Sequence, residues 1–425
     1  MTAAANMKAM QADKTVYGDR IVFDLLDRTV ARFPERTAID FMGRCWTYGE
    51  IGGLVRRAAR GLQDAGLKPG DRFGLCLPNC PYFVVLYFAA LRAGAVVVNF
   101  NPLYTESELT HQIKDSGTRF IAVPDLAMIH DKVETVAKDS GIERIVLCPM
   151  SEMLPWLQGV GFNLFKRKDH ANIRDEGLHL RLKALLANDA APDPVDVKPG
   201  DVAVLQYTGG TTGVPKGAML THGNLTANSG QMVDHVAAAW PDEPGWQERQ
   251  ERTLGVLPMF HVFALTTVLN YSVETGTELV LLPRFEMDQV LATIKRKPPT
   301  QFFGVPTIYV AMNALEESRI PDLSNVRCCI SGGAPLPLEV REMFEERTGA
   351  SVVEGYGLSE TAPIITCNPL QGPVKANSCG PAFPGTIIEI RDPEHPETLM
   401  PQGERGEICA RGPQVMKGYW NRPDA

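Results

Sequence analysis

Helical and extended segments alternate along most of the chain, and this alternation limits the fold more than any other feature of the sequence. Apolar residues between Val22 and Phe33 recur at helical spacing until Pro34 ends the run. Thr47 and Glu50 then form the pattern of a capping box at the start of a second helix, and TESEL repeats that pattern later. The runs FGLCL and FIAV indicate short buried strands. We therefore expect a parallel sheet with crossover helices on its faces.

The alternation weakens between residues 149 and 199. Apolar and aromatic residues in MLPWLQGVGFNLF precede three basic residues at 166–168. Because Pro155, Gly159 and Gly161 interrupt a continuous amphipathic helix, we expect an irregular excursion that packs on the body of the protein. Basic residues beside tryptophan and phenylalanine also suit an anionic interface, so contact with a membrane surface stays open as an alternative.

The last part of the chain has a different pattern. The alternation returns after Asp201 and ends near Ser351. Beyond it, GTIIEIRD and GEICARG are short extended runs separated by turns rich in proline and glycine. This pattern predicts antiparallel sheet or a small barrel.

The longest apolar run extends from Tyr82 to Val98, but Arg92 and Gly94 interrupt it. It is shorter than the ~20 residues that span a bilayer, and it predicts a buried helix followed by a buried strand. The first residues lack the apolar region of a secretory signal. The nine cysteines include no C-x-x-C pair, so neither a zinc cage nor a disulfide framework is indicated. A reducing, cytoplasmic location is therefore expected.

The glycine- and threonine-rich stretch YTGGTTGVPKG (207–217) follows the strand-like run VAVLQY. Short hydroxyls, bare backbone amides and one lysine are what a polyphosphate requires at close range. The stretch departs from a Walker A loop because Pro215 precedes Lys216 and Gly217 follows it. The formal net charge of −8 argues against a broad basic surface for nucleic acid. A nucleotide is therefore the better candidate than a nucleic acid.

Together with other motifs in the expected order, this stretch resembles the phosphate loop of the adenylate-forming superfamily, which includes acyl-CoA synthetases, luciferases and peptide-synthetase adenylation domains. The supporting motifs are LPMFHVF (257–263), ISGGAPL (330–336), EGYGLSETAP (354–363) and GERGEICARGP (403–413). VNFNPLYTESEL (98–109) is similar to the bacterial long-chain fatty acyl-CoA synthetases in particular. The resemblance covers nearly the whole chain.

The resemblance implies the large N-terminal domain of the adenylate-forming fold. This is an α/β domain with two mixed or parallel sheets, helices in layers and a small distorted β-barrel. We expect a flexible arm over 1–18 and the large domain over 19–425, with α/β subdomains at 19–200 and 201–365 and a barrel-like subdomain at 366–425. The resemblance also implies that the given sequence, which ends at Ala425, lacks the family's small C-terminal domain, so this polypeptide is expected to bind ligands but to be largely inactive alone.

The resemblance also implies a reaction. ATP converts a fatty acid to an acyl-adenylate, and coenzyme A then takes the acyl group as a thioester, with ATP, Mg²⁺ and coenzyme A as cofactors or co-substrates. The acid is expected to be medium- or long-chain. The pocket motif lacks the aspartate that peptide-synthetase domains use, and this argues against an amino-acid substrate. The alternatives are a ligase for aromatic or dicarboxylic acids and a non-catalytic domain that binds nucleotide or acyl chain. A homodimer and peripheral contact with the inner face of the membrane stay open.

Residue roles follow from the resemblance alone. Lys216, His261 and Glu360 are the expected catalytic residues, with Glu360 and Thr208 at the metal. Ser359 is expected to donate to the alpha phosphate, and Tyr356 to stack on adenine. The expected nucleotide-binding residues are Thr208, Gly209, Gly210, Thr211, Thr212, Gly213, Lys216, Gly333, Ala334, Glu354, Gly355, Tyr356, Gly357 and Ser359.

The expected acyl site contains apolar residues and one histidine. Its residues are Phe260, His261, Val262, Phe263, Val305 and Gly332. A lone histidine among apolar residues is more often a core residue, but the resemblance places His261 at the carboxylate end of the pocket, where it would orient the substrate without transferring a proton. Phe302 and Phe303 would line an apolar tunnel or, equally, pack within a buried strand.

Overall fold

The computed structural model describes residues 17–173, 177–209, 215–241 and 249–424. Within these ranges the α/β fold is confirmed: helices cover two sheets built largely of parallel strands. In chain order the strands are β1 (Thr37–Phe41), β2 (Arg44–Thr47), β3 (Arg72–Leu75), β4 (Val96–Asn99), β5 (Thr118–Pro124), β6 (Arg144–Cys148), β7 (His179–Arg181), β8 (Val202–Tyr207), β9 (Gly217–Thr221), β10 (Arg252–Gly255), β11 (Glu278–Leu281), β12 (Gln301–Gly304), β13 (Cys328–Ser331), β14 (Val353–Gly357), β15 (Ile364–Cys367), β16 (Ile387–Arg391) and β17 (Glu407–Arg411).

The two large sheets do not correspond to the two halves of the chain. One has seven strands in the order β7-β6-β5-β3-β4-β8-β9, and the other has eight in the order β15-β14-β13-β12-β10-β11-β1-β2. The edge strands β2, β9 and β15 are antiparallel to their neighbours. Because β1 and β2 join β10–β15, the predicted boundary between residues 200 and 201 does not separate the two sheets.

The final part of the chain carries the antiparallel pair β16–β17, as its sequence pattern predicted. A closed barrel is not found within the described residues 366–424. One apolar core cluster takes in residues from both large sheets, and a second lies around β4, β5, β6 and β8. The two sheets are therefore packed as one body by a shared core.

Thirteen α-helices lie within the described residues, and a π-helix over Leu265–Asn270 separates two short ones. They are α1 (Val22–Arg32), α2 (Tyr48–Asp64), α3 (Pro81–Arg92), α4 (Glu106–Ser116), α5 (Ala127–Ser140), α6 (Trp156–Phe165), α7 (Leu182–Leu185), α8 (His222–Ala238), α9 (Val262–Ala264), α10 (Tyr271–Thr275), α11 (Met287–Arg296), α12 (Pro306–Asn313) and α13 (Leu338–Thr348).

The local signals in the first half of the sequence are confirmed. The Thr47 hydroxyl accepts the Glu50 amide at 3.1 Å, and the Glu50 carboxylate accepts the Thr47 amide at 2.7 Å. Thr105 begins α4 with the same capping box. The long apolar run forms α3 and β4, both buried, and among the described residues no helix has the length and apolarity needed to cross a membrane.

The expectation of an irregular excursion before residue 166 is wrong, because the stretch forms helix α6. Pro155 occupies the N-cap position, where a missing backbone N–H costs nothing. Gly159 faces inward: a β-carbon there would lie 2.5 Å from the Ser151 carbonyl oxygen. The glycine is thus needed for close packing, and this need outweighs its low helix propensity.

Residues 1–16 of the expected arm lie outside the described residues. Tyr17 and Gly18, at its end, contact α8: the Tyr17 hydroxyl donates to the Asp234 carboxylate, and Gly18 packs against Gly223. The described chain therefore begins as part of the packed body.

Candidate functional site

The predicted phosphate loop connects two antiparallel strands. β8 ends at Tyr207, β9 begins at Gly217, and the Thr208 amide donates to the Lys216 carbonyl at 3.0 Å. This bond fixes both ends of the loop, with the Lys216 side chain exposed. The expected residues Gly210, Thr211, Thr212 and Gly213 lie outside the described residues, whereas Thr208, Gly209 and Lys216 lie within them.

Tyr419 brings Lys216 and Glu360 together. Its hydroxyl donates to Glu360 Oε1 at 2.6 Å, and Lys216 Nζ lies 4.8 Å from the centroid of its ring. The phenol is therefore hydrogen-bonded to the carboxylate while its face attracts the ammonium group. We call these residues the Lys216–Tyr419–Glu360 cluster.

The backbone around Tyr419 holds this cluster against the loop. Tyr419 forms an antiparallel bridge with Ala218 in β9, and the Trp420 amide donates to the Gly217 carbonyl at 2.7 Å. The Met416 amide donates to the Glu360 carbonyl at 2.8 Å. The segment 416–420 thus extends the edge of the seven-stranded sheet and ties it to the turn that carries Glu360.

Tyr419 stays protonated beside the Glu360 carboxylate. Burial and the hydrogen bond to the Glu360 carboxylate raise the pKa of the Tyr419 phenol to about 12. The phenol is neutral at neutral pH and donates its proton to the carboxylate. Sequence reasoning missed Tyr419, because nothing in KGYWNRPDA shows which strand edge that segment pairs with.

Residues of the expected adenine and acyl motifs meet at the ends of β12, β13 and β14. The Gly332 amide donates to the Gly304 carbonyl at 3.1 Å, and a β-carbon on Gly332 would lie 3.0 Å from the Phe263 ring. A β-carbon on Gly333 would lie 3.5 Å from Val305. Glycines here let the segments that carry Gly304, Gly332 and Phe263 approach one another closely. Gly333 and Ala334 are exposed and form a glycine-rich rim.

Glu354 and Gly357 have structural partners within the protein. Glu354 Oε1 accepts the Leu336 amide at 2.9 Å and so holds the end of the 332–336 loop. A β-carbon on Gly357 would lie 2.0 Å from the Pro363 carbonyl oxygen, so backbone packing requires this glycine. Tyr356 lies on β14 between Gly355 and Gly357, and Ser359 precedes Glu360 in the 3-10 turn Ser359–Thr361.

Buried amides anchor the PMFHVF stretch, and the sequence did not single them out. Asn79 donates to the Leu257 carbonyl at 2.7 Å and accepts the Met259 amide at 2.8 Å. Gln206, at the end of β8, donates to the Phe260 carbonyl at 3.0 Å. These bonds fix His261 relative to the start of the phosphate loop, because the loop leaves the end of β8, the strand that carries Gln206.

His261 is exposed to solvent, and its ring centroid lies 4.6 Å from that of Phe260. Desolvation by the surrounding protein lowers the pKa of its imidazole below the usual 6.5. The ring is therefore neutral at neutral pH and can donate one hydrogen bond and accept another. Val262 is buried in α9, directly after it.

Phe302 and Phe303 belong to the core. Both are fully buried in β12, where Phe302 packs edge-on against Tyr309 and Phe303 against Tyr271. Of the two interpretations offered by the sequence, strand packing accounts for both side chains.

The donor set at the Lys216–Tyr419–Glu360 cluster fits ATP with a hard divalent cation. It contains an ammonium group, a carboxylate and the half-buried Thr208 beside the start of the loop. Oxygen ligands suit Mg²⁺, and an ammonium group suits phosphate oxygens. The ammonium group can therefore bind phosphate oxygens directly, and the carboxylate can hold a cation that binds the same polyphosphate.

Known proteins resemble this chain in sequence and in fold. A long-chain-fatty-acid–CoA ligase from Bacillus subtilis is 41% identical over 408 residues, which cover 94% of this chain and 70% of the ligase. A feruloyl-CoA synthase from Amycolatopsis is 34% identical over 398 residues, covering 92% of this chain and 70% of the synthase. The crystal structure of ATP-bound MatB from Rhodopseudomonas palustris superposes with a TM-score of 0.77 at 29% identity, over 95% of this chain and 72% of MatB.

The family model described as AMP-binding enzyme matches residues 26–420, which include the loop, the acyl motif, the Glu360 turn and Tyr419. The match extends over nearly all of the described chain, and each of the motifs recognised in the sequence lies inside it. This chain belongs to the AMP-binding enzyme family.

Proposed function

We propose that the chain belongs to an ATP-dependent ligase that converts a medium- or long-chain fatty acid to its coenzyme A thioester. A carboxylate oxygen of the acid attacks the alpha phosphorus of ATP, and the bond to pyrophosphate breaks. The thiolate of coenzyme A then attacks the acyl carbon, and AMP leaves. The observation that carries the proposal is the Lys216–Tyr419–Glu360 cluster, where a cation and a carboxylate share one aromatic residue at the end of the phosphate loop.

Each residue of the site has a proposed task. Lys216 and the Thr208 hydroxyl bind phosphate oxygens, and Glu360 with Thr208 would hold Mg²⁺, which supplies positive charge where negative charge develops. Ser359 donates to the alpha phosphate. Neutral His261 orients the fatty carboxylate by hydrogen bonding without accepting its proton.

The adenine and acyl chain are proposed to bind on either side of the glycine-rich rim. Gly333, Ala334 and Glu354 form the edge of the adenine pocket, with Tyr356 stacked on the base between Gly355 and Gly357. Phe260, Phe263 and Val305 supply apolar surface beside Gly332, and Val262 fixes the backbone behind them. Cytoplasmic location is supported by the nine free cysteines.

A fatty acyl substrate predicts a graded dependence on chain length. Each buried methylene contributes about 0.8 kcal/mol, so affinity is expected to rise roughly four-fold per methylene until the pocket is filled. Calorimetric titration of the chain with non-hydrolysable acyl-adenylate analogues of increasing length measures this directly. The feruloyl analogue is the matched comparison, because one relative is a feruloyl-CoA synthase. Tighter binding of the feruloyl analogue than of every fatty analogue would show that the substrate is an aromatic acid and not a fatty acid.

Tyr419 is proposed to position the metal-binding carboxylate. Tyr419→Phe keeps the ring under Lys216 and removes only the bond to Glu360. Loss of such an outer partner is expected to weaken Mg²⁺ binding roughly ten-fold, while ATP affinity without metal changes little. Calorimetry with ATP at increasing Mg²⁺ measures both quantities. The matched control is Tyr82→Phe, whose hydroxyl lies 3.4 Å from the Glu152 carboxylate in another part of the fold. Equal Mg²⁺ dependence in the unmodified chain, Tyr419→Phe and Tyr82→Phe would show that Tyr419 does not support the metal site.

A further inference from the structure

Helix α6 presents a row of large apolar side chains to solvent. Trp156 is 77% exposed, Leu164 68% and Phe165 87%. Leu157 and Val160 are also exposed. Trp156, Val160 and Leu164 follow one another at four-residue spacing, so they lie along one side of the helix, and Leu157 and Phe165 extend that side. We call these five residues the α6 face.

The opposite side of α6 anchors the helix to the body. Gly159 packs against the Ser151 carbonyl, and Phe162 contacts the core and meets the His170 ring edge-on at 5.1 Å. A helix with a wide apolar side normally covers that side with protein or membrane. Here the chain covers the side with Gly159 and Phe162, and the α6 face points outward.

Basic residues follow the α6 face directly. Lys166, Arg167 and Lys168 are all exposed, and the last two lie in the 3-10 turn Arg167–Asp169. Lys166 Nζ lies 3.5 Å from the Asp169 carboxylate, an exposed pair that contributes little stability. The local charge is therefore positive on a chain whose formal net charge is −8.

We propose that the α6 face and Lys166–Lys168 bind the surface of an anionic lipid bilayer. Tryptophan and phenylalanine beside lysine and arginine are typical of helices that lie in the membrane interface, with the rings among the acyl chains and the basic groups at the phosphates. A protein partner would have to cover a ten-residue helix with a cationic end, whereas an anionic bilayer offers both an apolar interior and negative charge. The proposal goes beyond the proposed function, since it requires neither ATP nor a particular acid.

Sedimentation with vesicles tests the proposal without nucleotide or substrate. The chain is expected to bind vesicles of phosphatidylcholine mixed with phosphatidylglycerol, and to bind phosphatidylcholine alone weakly. Added salt is expected to weaken the first interaction. Trp156→Ser with Phe165→Ser is expected to lower partitioning by roughly 100-fold, since each buried aromatic side chain accounts for about ten-fold or more. Arg167→Glu with Lys168→Glu is expected to lower it by about ten-fold or more.

Matched controls distinguish binding through the α6 face from a general effect of exposed apolar residues or of net charge. Leu399→Ser removes another exposed apolar residue, and Lys295→Glu with Arg405→Glu makes the same charge change elsewhere. Both controls are expected to bind vesicles as the unmodified chain does. Thermal unfolding of every variant checks that folding is unchanged. Unaltered vesicle binding in the α6 double variant, or loss of self-association in that variant with vesicle binding retained, would overturn the proposal.

Discussion

Replacing Glu360 by glutamine is expected to lower the affinity for Mg²⁺-ATP by roughly 100-fold, because a metal ligand is lost outright and removal of even an outer partner costs ten- to 100-fold. Glutamine keeps the size of the side chain and can still accept the Tyr419 hydroxyl, so the turn should fold as before. The lost quantity is the negative charge that the proposed metal requires. Calorimetry with ATP in the presence and absence of Mg²⁺ measures it.

The control for this change is Glu339→Gln, which makes the same substitution in the first turn of α13. It is expected to leave ATP binding and its Mg²⁺ dependence unchanged. ATP binding to Glu360→Gln that still responds to Mg²⁺ as the unmodified chain does would show that this carboxylate is not a metal ligand.

Asp40→Asn is expected to destabilise the fold by about 3 kcal/mol, at the low end for a broken buried ion pair because Arg296 is partly exposed. Asp40 is fully buried in β1, and its two oxygens accept Arg296 nitrogens at 2.6 and 2.7 Å. Lys297 Nζ lies 3.4 Å from the same carboxylate. The asparagine amide is neutral, so Arg296 and Lys297 would lose the negative charge that they contact. Urea unfolding measures the change as a lower midpoint at constant slope.

The same carboxylate predicts a dependence on pH. Burial alone would raise the pKa of Asp40, but hydrogen bonds from Arg296 and the Gly43 amide outweigh it and hold the pKa below the usual 3.8. A lowered pKa contributes stability above the usual value and loses it as pH falls through the folded value. The difference between the two proteins should therefore be constant near neutral pH and shrink below about pH 4.

Asp288→Asn is the control for Asp40→Asn, because Asp288 also pairs with an arginine but is 89% exposed. An exposed pair is expected to contribute at most about 1 kcal/mol. Equal losses from the two changes would mean that burial of the Asp40 pair does not matter for stability.

Local signals were the part of the fold that the sequence predicted well. The capping boxes at Thr47 and Thr105 depend on residues three positions apart, so they can be read without knowing the rest of the fold. Helix α6 was missed because it depends on a contact that the local sequence does not show. Its glycine looks unfavourable until the Ser151 carbonyl that it packs against is known.

Long-range pairing was beyond the sequence. β1 joins β11, more than two hundred residues later, and nothing in TAIDF selects that neighbour over a strand nearer in the sequence. Tyr419 reaches Glu360 only because residues 416–420 pair with β9. Asn79 anchors the acyl motif from 180 residues away. The motifs identified the chemistry, but the supporting residues depend on tertiary contacts.

The central claim is that Lys216 and Glu360 act on the same polyphosphate. A crystal structure of this chain with Mg²⁺ and a non-hydrolysable ATP analogue tests it most directly. We predict phosphate oxygens within hydrogen-bonding distance of Lys216 Nζ and a metal ion on the Glu360 carboxylate, next to Tyr419. Triphosphate bound elsewhere, with the Lys216–Tyr419–Glu360 cluster unchanged, would contradict the account.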